Sequence, residues 1–424
     1  MTVQSNILNF EGAYKEQFAK SWGDLTLKNR PLSAMVERFE SMTGIDTKVP
    51  ALTSSGAGVC VTIAAAQTQA AAVSMNVPAF AVTRLALYSV VQIDNQSILA
   101  SESLEGAFFE VSAEALKQAI NKMSNYLEMY MFGDGSGCIG QLANTTVSTS
   151  VIQLASVATA INFEKGDRLD LAATRSSAGI RAQGSGAHAL IIGAVNEDLG
   201  QLTVVTPAGV ACNINDSTDG AASPGTTDYL FATGTRNKVL NGLGAWLPAT
   251  APTSGDSFYG VDRSIQPTKL AGNRTDETTS GKSIKEMLID AAMKIASKDG
   301  NLDVFFMHHN NFALLLKELE STAYRPDHKV GEISFPAVEL LTSAGVVKVV
   351  PANRCSTSDI FGLDMSTVTL GSIGPAVRGL DTKDGLEWLR LSTDDAVESR
   401  IGTYSAMWID KPYRNIHISI PAQG

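Results

Sequence analysis

The 424-residue chain is too long for one typical hydrophobic core, so two or more compact units are expected. Hydrophobic residues make up 44% and charged residues 18%, below the usual quarter, which predicts a surface with few charges. Such a surface fits obligate assembly with neighbouring subunits, and an ordinary globular protein with a Gly-, Ala- and Thr-rich surface explains it equally well. The net charge of -10, without a cluster of Lys or Arg, argues against direct recognition of duplex DNA.

The four cysteines, Cys60, Cys138, Cys212 and Cys355, are far apart and form no Cys-x-x-Cys pair. This spacing argues against a zinc site and a disulfide framework, and it favours folding in a reducing cytoplasm. Residues 1–10 lack the basic start and apolar core of a secretory signal. The Ala-rich residues 61–82 come closest to a membrane span, but polar side chains and a proline interrupt them, so no membrane helix is expected.

Residues 1–50 are predicted to form an N-terminal helical arm. Four aromatic residues recur there at spacings of about four and share one helical face: Phe10, Tyr14, Phe18 and Trp22. This stripe requires burial, and on a terminal arm the partner can be another subunit. A second, short helical pattern begins at Pro31 and ends at Gly44.

Residues 51–111 are rich in Ala, Val, Ser and Gln and contain no lysine. β-Branched and aromatic residues from Phe80 to Ile93 predict a strand, and residues 94–97 predict a turn into a return strand from Ser97. A two-stranded ribbon of this kind is not stable alone in water, so we expect it to pack against another part of the structure.

The clearest element is a helix predicted from Ser112, suited to cap its start, to Phe132. Its apolar face recurs at steps of three and four, at Leu116, Ile120, Met123, Leu127 and Tyr130. The glycine-rich residues 133–137 then end the helix, because glycine adopts the left-handed conformation that a helix end requires.

Three further blocks follow. Residues 145–250, rich in Thr, Ser, Gly and Ala, show short strand signals and a hairpin around residues 196–200, which predicts an inserted β-rich barrel or sandwich. Residues 251–380 alternate strands and helices, with caps predicted at Ser283 and at Asn310 or Asn311, and indicate a mixed sheet covered by helices. Residues 381–424 are strand-rich, so the expected fold class is α+β.

Three short sequences are candidates for chemistry, and each has a simpler structural interpretation. Residues 281–283 (Gly-Lys-Ser) enter a helix as a phosphate loop does, but Asp276 stands where the first glycine of that motif belongs. Residues 308–309 (His-His) lack the ligand spacing of a metal site. Residues 394–395 (Asp-Asp) with Glu398 are expected in a solvated turn or a subunit contact rather than in a catalytic cleft. We therefore predict no catalytic residue, no cofactor, no metal and no enzymatic activity.

Several short strings, in order along most of the chain, resemble the Hong Kong 97 type major capsid proteins of tailed phages. They are residues 131–137 (MFGDGSG), 259–264 (YGVDRS), 270–272 (LAG), 384–388 (DGLEW), 395–396 (DA), Arg400 and 411–412 (KP). The resemblance implies that family's capsid fold, with an N-terminal arm at 1–50, an E-loop at 51–111, a spine helix and the start of the P-domain at 112–144, an A-domain at 251–380 and closing P-domain strands at 381–424. The block at 145–250 departs from the minimal fold as an insertion.

The resemblance also implies a self-assembling subunit that forms the hexamers and pentamers of an icosahedral phage head. Such a head encloses double-stranded DNA in the virion, is assembled in the host cytoplasm, and involves no membrane. The implied partners are further copies of the chain, a portal, a decoration protein and, because the arm is too short for a fused scaffolding domain, a separate scaffolding protein. Some family members join an E-loop lysine to a neighbour's asparagine, but no lysine lies between Lys48 and Lys117, so a shell without this crosslink is expected.

Assembly contacts are expected at Phe10, Tyr14, Phe18, Trp22, Phe80, Arg84 and Tyr88. Loss of Phe80 or Tyr88 is expected to affect assembly more than folding of the monomer. Three alternatives stay open: an encapsulin-like cargo compartment, a hydrolase with a β-sandwich accessory domain, and another phage structural protein such as a tail or decoration subunit.

Overall fold

The computed structural model describes residues 30–54, 56–72, 75–96, 111–143, 147–177, 179–181, 190–215, 224–319, 328–330, 333–335, 338–342, 345–380, 388–392 and 394–421. The chain forms two compact units. The smaller comprises the described parts of Ser89–Lys122 and Gly379–Ile401. The larger comprises those of Asn29–Tyr88, Met123–Arg378 and Gly402–Gly424.

The described residues contain both α-helices and strands. The helices are α1 (Pro31–Met35), α2 (Ile63–Ala72), α3 (Val111–Phe132), α4 (Leu243–Trp246), α5 (Pro267–Ala271), α6 (Ile284–Ala296) and α7 (His309–Glu318). The strands are β1 (Glu37–Phe39), β2 (Asp46–Pro50), β3 (Ala79–Thr83), β4 (Leu85–Asp94), β5 (Cys138–Gln141), β6 (Val151–Gln153), β7 (Arg168–Ala172), β8 (Leu190–Asn196), β9 (Gln201–Val205), β10 (Tyr229–Ala232), β11 (Ser257–Phe258), β12 (Val261–Asp262), β13 (Asn273–Asp276), β14 (Val304–Met307), β15 (His328–Val330), β16 (Ile333–Phe335), β17 (Val338–Thr342), β18 (Gly345–Pro351), β19 (Asp359–Leu363), β20 (Val368–Ser372), β21 (Arg378–Gly379), β22 (Leu389–Arg390), β23 (Ala396–Ile409) and β24 (Ile416–Ser419).

The long helix α3 confirms the predicted element and begins one residue before the predicted cap. Met123, Leu127 and Tyr130 of its predicted apolar face are buried, because the helical period carries them to the same side. Ile120 of the same face keeps 37% of its surface exposed. The backbone N–H of Gly133 donates to the carbonyl of Tyr130 at 3.1 Å, where the helix ends.

The smaller unit contains a short antiparallel pair between β22 and the start of β23. Leu389 lies opposite Glu398, and Arg390 lies opposite Val397. At the end of β4, the backbone N–H of Asn95 donates to the carbonyl of Asp395 at 3.0 Å. The return strand predicted from Ser97 and the first part of the strand predicted around residue 386 lie outside the described residues.

Two strand arrangements of the larger unit involve the first hundred residues. β1 pairs in parallel with β20, and β20 pairs antiparallel with the end of β23. β2 and β3 form an antiparallel pair, with Asp46 opposite Thr83 and Pro50 opposite Ala79. The strand predicted from Phe80 to Ile93 is confirmed as β3 and β4, which are interrupted at Arg84.

Six antiparallel strands of the larger unit form a sheet in the order β5-β10-β7-β8-β9-β6. The two end strands are joined as well: Ala143 N donates to Gln153 O, and Ala155 N donates to Gln141 O, both at 2.9 Å. The strands therefore close into a ring, and side chains from several of them are buried, including Leu169, Ile192, Leu202 and Leu230. The predicted hairpin is confirmed as β8 and β9, whereas β5 begins before the predicted boundary at residue 145.

A second six-stranded sheet of the larger unit has the order β13-β24-β19-β14-β18-β17 and mixes parallel with antiparallel pairs. Helices α6 and α7 contribute to its core. This confirms the predicted mixed sheet with helices. Strand β24 differs from expectation, because it pairs with β13 and β19 in this sheet although its residues belong to the predicted closing strands at 381–424.

Of the two predicted helix caps, that of α6 is confirmed and that of α7 is wrong. Ser283 caps α6 as predicted, and Glu286 completes a capping box by accepting from the backbone N–H of Ser283. The prediction of Asn310 or Asn311 as the cap of α7 is wrong. The ring Nδ1 of His308 accepts from the backbone N–H of Asn310 at 3.1 Å, while the buried Asn311 side chain donates to the carbonyl of Thr357.

Candidate assembly surface

The lysine of the loop before α6 is held by carboxylates. Lys282 Nζ lies 3.2 Å from Glu277 Oε1 and 2.9 Å from Asp290 Oδ2. Both hydrogen bonds raise the pKa of Lys282, and the bond to Asp290 has the larger effect. A lysine engaged by two anions is not presented to a phosphate, so the geometry favours the helix-cap interpretation of residues 281–283.

The two adjacent histidines serve the start of α7. Burial, and then the charge of His309, lower the pKa of His308 to about 4. The ring is therefore neutral near neutral pH, and its unprotonated Nδ1 is available to accept the cap hydrogen bond. This role accounts for His308 without a metal.

The carboxylates near the start of β23 are engaged with basic and amide groups. Asp395 lies 3.7 Å from Arg390, and Glu398 accepts from Arg400 at 2.8 Å and from Gln92 at 3.3 Å. The hydrogen bonds from Arg400 and Gln92 hold the pKa of Glu398 below its ordinary value. A carboxylate kept ionised in this way is a poor general acid.

Neither a metal-binding cluster nor a membrane-spanning helix is present among the described residues. No group of three or more His, Cys, Asp or Glu side chains there is arranged to hold a metal ion. No helix in the same part of the chain is long and apolar enough to cross a membrane.

The predicted assembly residues have different environments. Phe10, Tyr14, Phe18 and Trp22 lie outside the described residues. Phe80 is 1% exposed, and its ring lies 5.1 Å from the ring of Trp246 and 6.3 Å from that of Phe258. The expectation for Phe80 is therefore corrected: it belongs to the core of its own subunit, because alternation along β3 turns its side chain inward.

Tyr88 and Arg84 remain nearer the surface. Tyr88 is 57% exposed, and its hydroxyl lies 3.3 Å from that of Tyr404, with the two rings edge to face at 5.9 Å. Arg84 is half-buried at the interruption between β3 and β4. The contribution of both residues to assembly stays a prediction.

A surface feature that the sequence reasoning missed is the segment between β2 and β3, residues 51–78, here termed the uncharged arm. From Val49 to Thr83 the chain has no Asp, Glu, Lys, Arg or His. The base of the arm is anchored, since Ala51 N donates to Pro78 O at 2.8 Å and Thr53 N to Asn76 O at 3.0 Å. Lys269, from helix α5, donates to the carbonyl of Thr53 at 3.1 Å.

The tip of the uncharged arm folds on itself around helix α2. The backbone N–H of Val59 donates to the side-chain oxygen of Gln69 at 3.1 Å. A Cβ placed on Gly58 would lie 2.2 Å from the carbonyl oxygen of Ala66, so only glycine permits this approach to the helix. The residues around Gly58 and Val59 are thus folded back onto helix α2.

The apolar side chains of the uncharged arm are exposed. The exposed fraction is 86% for Val59, 102% for Val61 and 79% for Ile63, and α2 has no buried residue. Exposed aliphatic side chains grouped on a segment without charge are typical of a surface that another protein covers. The sequence signal that identifies this arm is the run without charge, of which the absence of lysine is one part.

Comparison with known proteins gives a match in structure only. No protein-family profile matches the sequence, and no curated protein matches it. The capsid of cyanophage A-1(L) is similar in structure at 9% identity, covering 100% of both chains with a TM-score of 0.51. The capsid of a native GTA particle covers 99% of this chain and is itself covered fully, at 9% identity and a TM-score of 0.49.

An encapsulin has a weaker similarity. The holo-SrpI encapsulin complex from Synechococcus elongatus PCC 7942 covers 100% of this chain and 98% of its own, at 8% identity and a TM-score of 0.46. The cyanophage match spans the entire chain, and at this identity it establishes the fold alone. The chain therefore has the fold of the phage capsid proteins of the Hong Kong 97 type.

Proposed function

We propose that this chain is a major capsid protein that assembles into the hexamers and pentamers of an icosahedral phage head around double-stranded DNA. The observation that carries the proposal is the match to a phage capsid over the full length of both chains. A fold alone is compatible with other functions, so a surface suited to assembly is needed beside it.

The uncharged arm supplies that surface. Val59, Val61 and Ile63 of the arm are exposed. Complete burial of one such side chain against a neighbour contributes roughly 1.5–3 kcal/mol of favourable free energy. A chain with a net charge of -10 repels copies of itself, and a segment without charge makes contact with a copy free of that repulsion. Many such contacts in one shell add up by avidity.

The finer parts of the proposal follow the family resemblance. Residues 1–50 serve as the arm, 51–111 as the E-loop, and the closed ring of strands as an insertion, predicted at 145–250. No lysine lies between Lys48 and Lys117, so we propose a shell without a lysine–asparagine crosslink. A scaffolding protein, a portal and a decoration protein are proposed partners, and assembly takes place in the host cytoplasm.

Electron microscopy of the purified full-length chain, and of the virus particle that contains it, tests the function. We expect closed shells of uniform diameter and, on a denaturing gel of these shells, a single monomer band. Discrete small oligomers under all assembly conditions would contradict the proposed function, and a ladder of covalent oligomers would contradict the absence of crosslinks. Shells that contain a cargo enzyme in place of DNA would favour the encapsulin-like alternative.

A matched pair of variants tests the uncharged arm separately. Val61→Asp places a charge on a side chain that is fully exposed in the subunit, so the unfolding temperature of the subunit is expected to stay unchanged while shell yield falls at least tenfold. Val210→Asp makes the same change at a side chain 63% exposed beyond β9, and shells are expected to form. Normal shells from Val61→Asp would refute the role of the arm and leave the capsid function standing.

A thiol reaction provides a second measurement on the wild-type chain. Cys60 in the uncharged arm is exposed, Cys138 is partly buried, and Cys212 and Cys355 are buried. Burial also raises the pKa of Cys138 to about 11 and that of Cys355 well above its ordinary value, which keeps both in the unreactive thiol form. A maleimide is therefore expected to label one cysteine rapidly in free subunits and to label it far more slowly in shells. Equal rates in the two states would place the arm outside the contacts.

A further inference from the structure

A buried histidine holds the start of helix α7. His308 is 8% exposed and lies directly after β14. Its ring Nδ1 accepts from the backbone N–H of Asn310 at 3.1 Å, and its carbonyl oxygen accepts from that of Phe312 at 3.0 Å. The first hydrogen bonds of α7 therefore meet at one residue, and one of them uses a nitrogen that can take up a proton.

The geometry of this cap admits only one protonation state of Nδ1. A ring nitrogen that accepts a hydrogen bond carries no hydrogen. A proton on Nδ1 would point at the N–H of Asn310, so repulsion would replace the hydrogen bond. The added charge would also lie at the positive end of the helix dipole and away from water. All three effects oppose protonation of His308 while α7 stays in place.

The other end of α7 supports the neighbouring helix α6. Glu318, the last residue of α7, accepts from the backbone N–H of Ile284 at 3.1 Å and from that of Lys285 at 2.9 Å. The side chain of Ser283 accepts from the next backbone donor, that of Glu286. Two of the first three backbone donors of α6 therefore depend on the position of α7.

The titratable groups on the elements around His308 are at the surface or bonded to other groups. On α7, the ring of His309 lies 6.4 Å from that of His308, centroid to centroid, and its charge opposes a second charge there. Strand β14 carries no titratable side chain. The exposed groups on α6 and at the end of α7 are Lys285, Glu286, Lys317 and Glu318.

The segment that follows β18 also contacts the start of α7, because the side chain of Asn311 donates to the carbonyl of Thr357 at 3.0 Å. This segment carries three titratable groups, each with a partner of its own. Arg354 donates to the carbonyl of Ile161, Cys355 to the carbonyl of Asp359, and the Asp359 carboxylate pairs with His417.

We propose that His308 is an acid-operated latch: its neutral ring holds α7 in place, and a proton on Nδ1 releases the start of α7 and, through Glu318, the first turn of α6. In the released state the protonated ring gains water and no longer faces the N–H of Asn310. The inference concerns the subunit by itself and goes beyond the proposed function, so it holds whether or not the chain builds a shell.

The direction of the pH dependence follows from the two states of the ring. In the closed state burial, and then the charge of His309, lower the pKa of His308 to about 4. In the released state the ring is solvated and has its ordinary pKa of 6.5. The closed state is therefore favoured fully above 6.5, and this advantage is lost progressively as the pH falls from there through about 4. From about pH 7 to about pH 4.5 the ratio of closed to released states falls roughly fiftyfold.

Hydrogen exchange of the full-length chain tests the latch. Exchange of the Asn310 and Phe312 amides is measured from about pH 7 to about pH 4.5 and divided by the intrinsic rate at each pH. We expect their protection to fall roughly fiftyfold across this range, whereas the amides of β8, in the closed ring of strands, serve as the reference and keep theirs. Unchanged protection of Asn310 and Phe312 would overturn the proposal, and this measurement needs no variant.

A matched pair of variants identifies the group that takes up the proton. His308→Asn introduces a side chain that caps helices well and does not titrate, so α7 is expected to keep its neutral-pH protection throughout. His309→Asn leaves the cap in place and is expected to keep the loss of protection in acid. If His308→Asn retains the wild-type pH dependence, or His309→Asn abolishes it, another group controls α7 and the latch is refuted.

The coupling to α6 is measured at the amides of Ile284 and Lys285. In the wild type their protection is expected to fall in parallel with that of Phe312. A carboxylate also takes up a proton in acid, so His308→Asn separates the two causes: this variant is expected to keep both amides protected to about pH 4.5. Loss of their protection in His308→Asn would show that Glu318 acts without His308 and would refute the coupling.

Discussion

The indole Nε1 of Trp246 donates a 3.0 Å hydrogen bond to the backbone carbonyl oxygen of Met407. Trp246 lies in α4 and Met407 near the end of β23, so the bond joins segments that are far apart in the sequence. The same indole ring lies 5.1 Å from the ring of Phe80 and 5.0 Å from that of Phe258. One side chain therefore ties β3, β11 and β23 of the larger unit into a common core.

The first prediction concerns this indole. Trp246→Phe keeps an aromatic ring but removes the donor, which leaves the Met407 carbonyl without that partner and leaves a small void. We expect the unfolding free energy of the unassembled subunit to fall by about 2–4 kcal/mol. Denaturant unfolding measures it, with Trp388→Phe at a half-buried position as the control. Equal stability of the two variants would show that the Trp246 hydrogen bond contributes little.

The second prediction compares how much two aromatic residues of neighbouring strands contribute to the stability of the unassembled subunit. Phe80→Ala empties a site that is 1% exposed, so the subunit itself is expected to lose about 3–5 kcal/mol of unfolding free energy. Tyr88→Phe removes only the exposed hydrogen bond to Tyr404 and is expected to cost less than about 1 kcal/mol. Unfolding of the unassembled subunits is the measurement. If Phe80→Ala leaves subunit stability intact, the assignment of Phe80 to the core is wrong.

The elements that the sequence predicted correctly are those whose signals are local. The period of three and four in α3, the cap at Ser283 and the turn between β8 and β9 all lie within about 20 residues. Strand β24 was placed in the wrong group because its partners, β13 and β19, are distant in the sequence, and short strands do not encode their pairing. The cap of α7 was missed because a histidine accepts at a cap only when neutral, and burial within the fold keeps His308 neutral.

The candidate surface was only partly predictable for a similar reason. Alternation along β3 indicates that Phe80 is buried but not whether its own subunit or a neighbour covers it. The uncharged arm is visible in the sequence as a run without charge, yet its helix α2 consists mostly of alanine and glutamine and has no apolar stripe to reveal its orientation. Its exposure depends on the pairing of the base strands β2 and β3, which joins residues that are 29 to 37 positions apart, from the pair Pro50 and Ala79 to the pair Asp46 and Thr83.

The third prediction compares two glycines with left-handed backbones. Gly272 has φ of 73°, and a Cβ there would lie 2.3 Å from Cδ2 of the buried Leu247 and 3.1 Å from the carbonyl oxygen of Pro412. Gly281 has φ of 68°, and a Cβ there would meet nothing within 4 Å. Gly281→Ala is expected to cost about 1–2 kcal/mol from backbone strain alone. Gly272→Ala adds overpacking of about 1–3 kcal/mol, so its melting temperature is expected to be the lower of the two. Equal melting temperatures would show that the core around Leu247 yields to the extra methyl group.

The fourth prediction concerns acid stability and the pair between His417 and Asp359. His417 is buried, its Nε2 lies 2.9 Å from Asp359 Oδ1, and its Nδ1 lies 2.8 Å from the carbonyl oxygen of Leu247. Burial raises the pKa of Asp359, but the hydrogen bond and charge of His417, with smaller contributions from Ser356 and Arg175, outweigh it and hold the pKa below its ordinary value. A lowered folded-state pKa gives stability that is present above the ordinary value of about 4 and is lost as the pH falls through the folded value.

Asp359→Asn is therefore expected to be less stable than the wild type at neutral pH and to lose less stability between about pH 4 and pH 2. Urea unfolding at several pH values in this range gives the slope of unfolding free energy against pH for the wild type and for Asp359→Asn. Asp395→Asn, at a side chain 67% exposed, is the control. Parallel slopes for the wild type and Asp359→Asn would mean that other carboxylates control the acid transition.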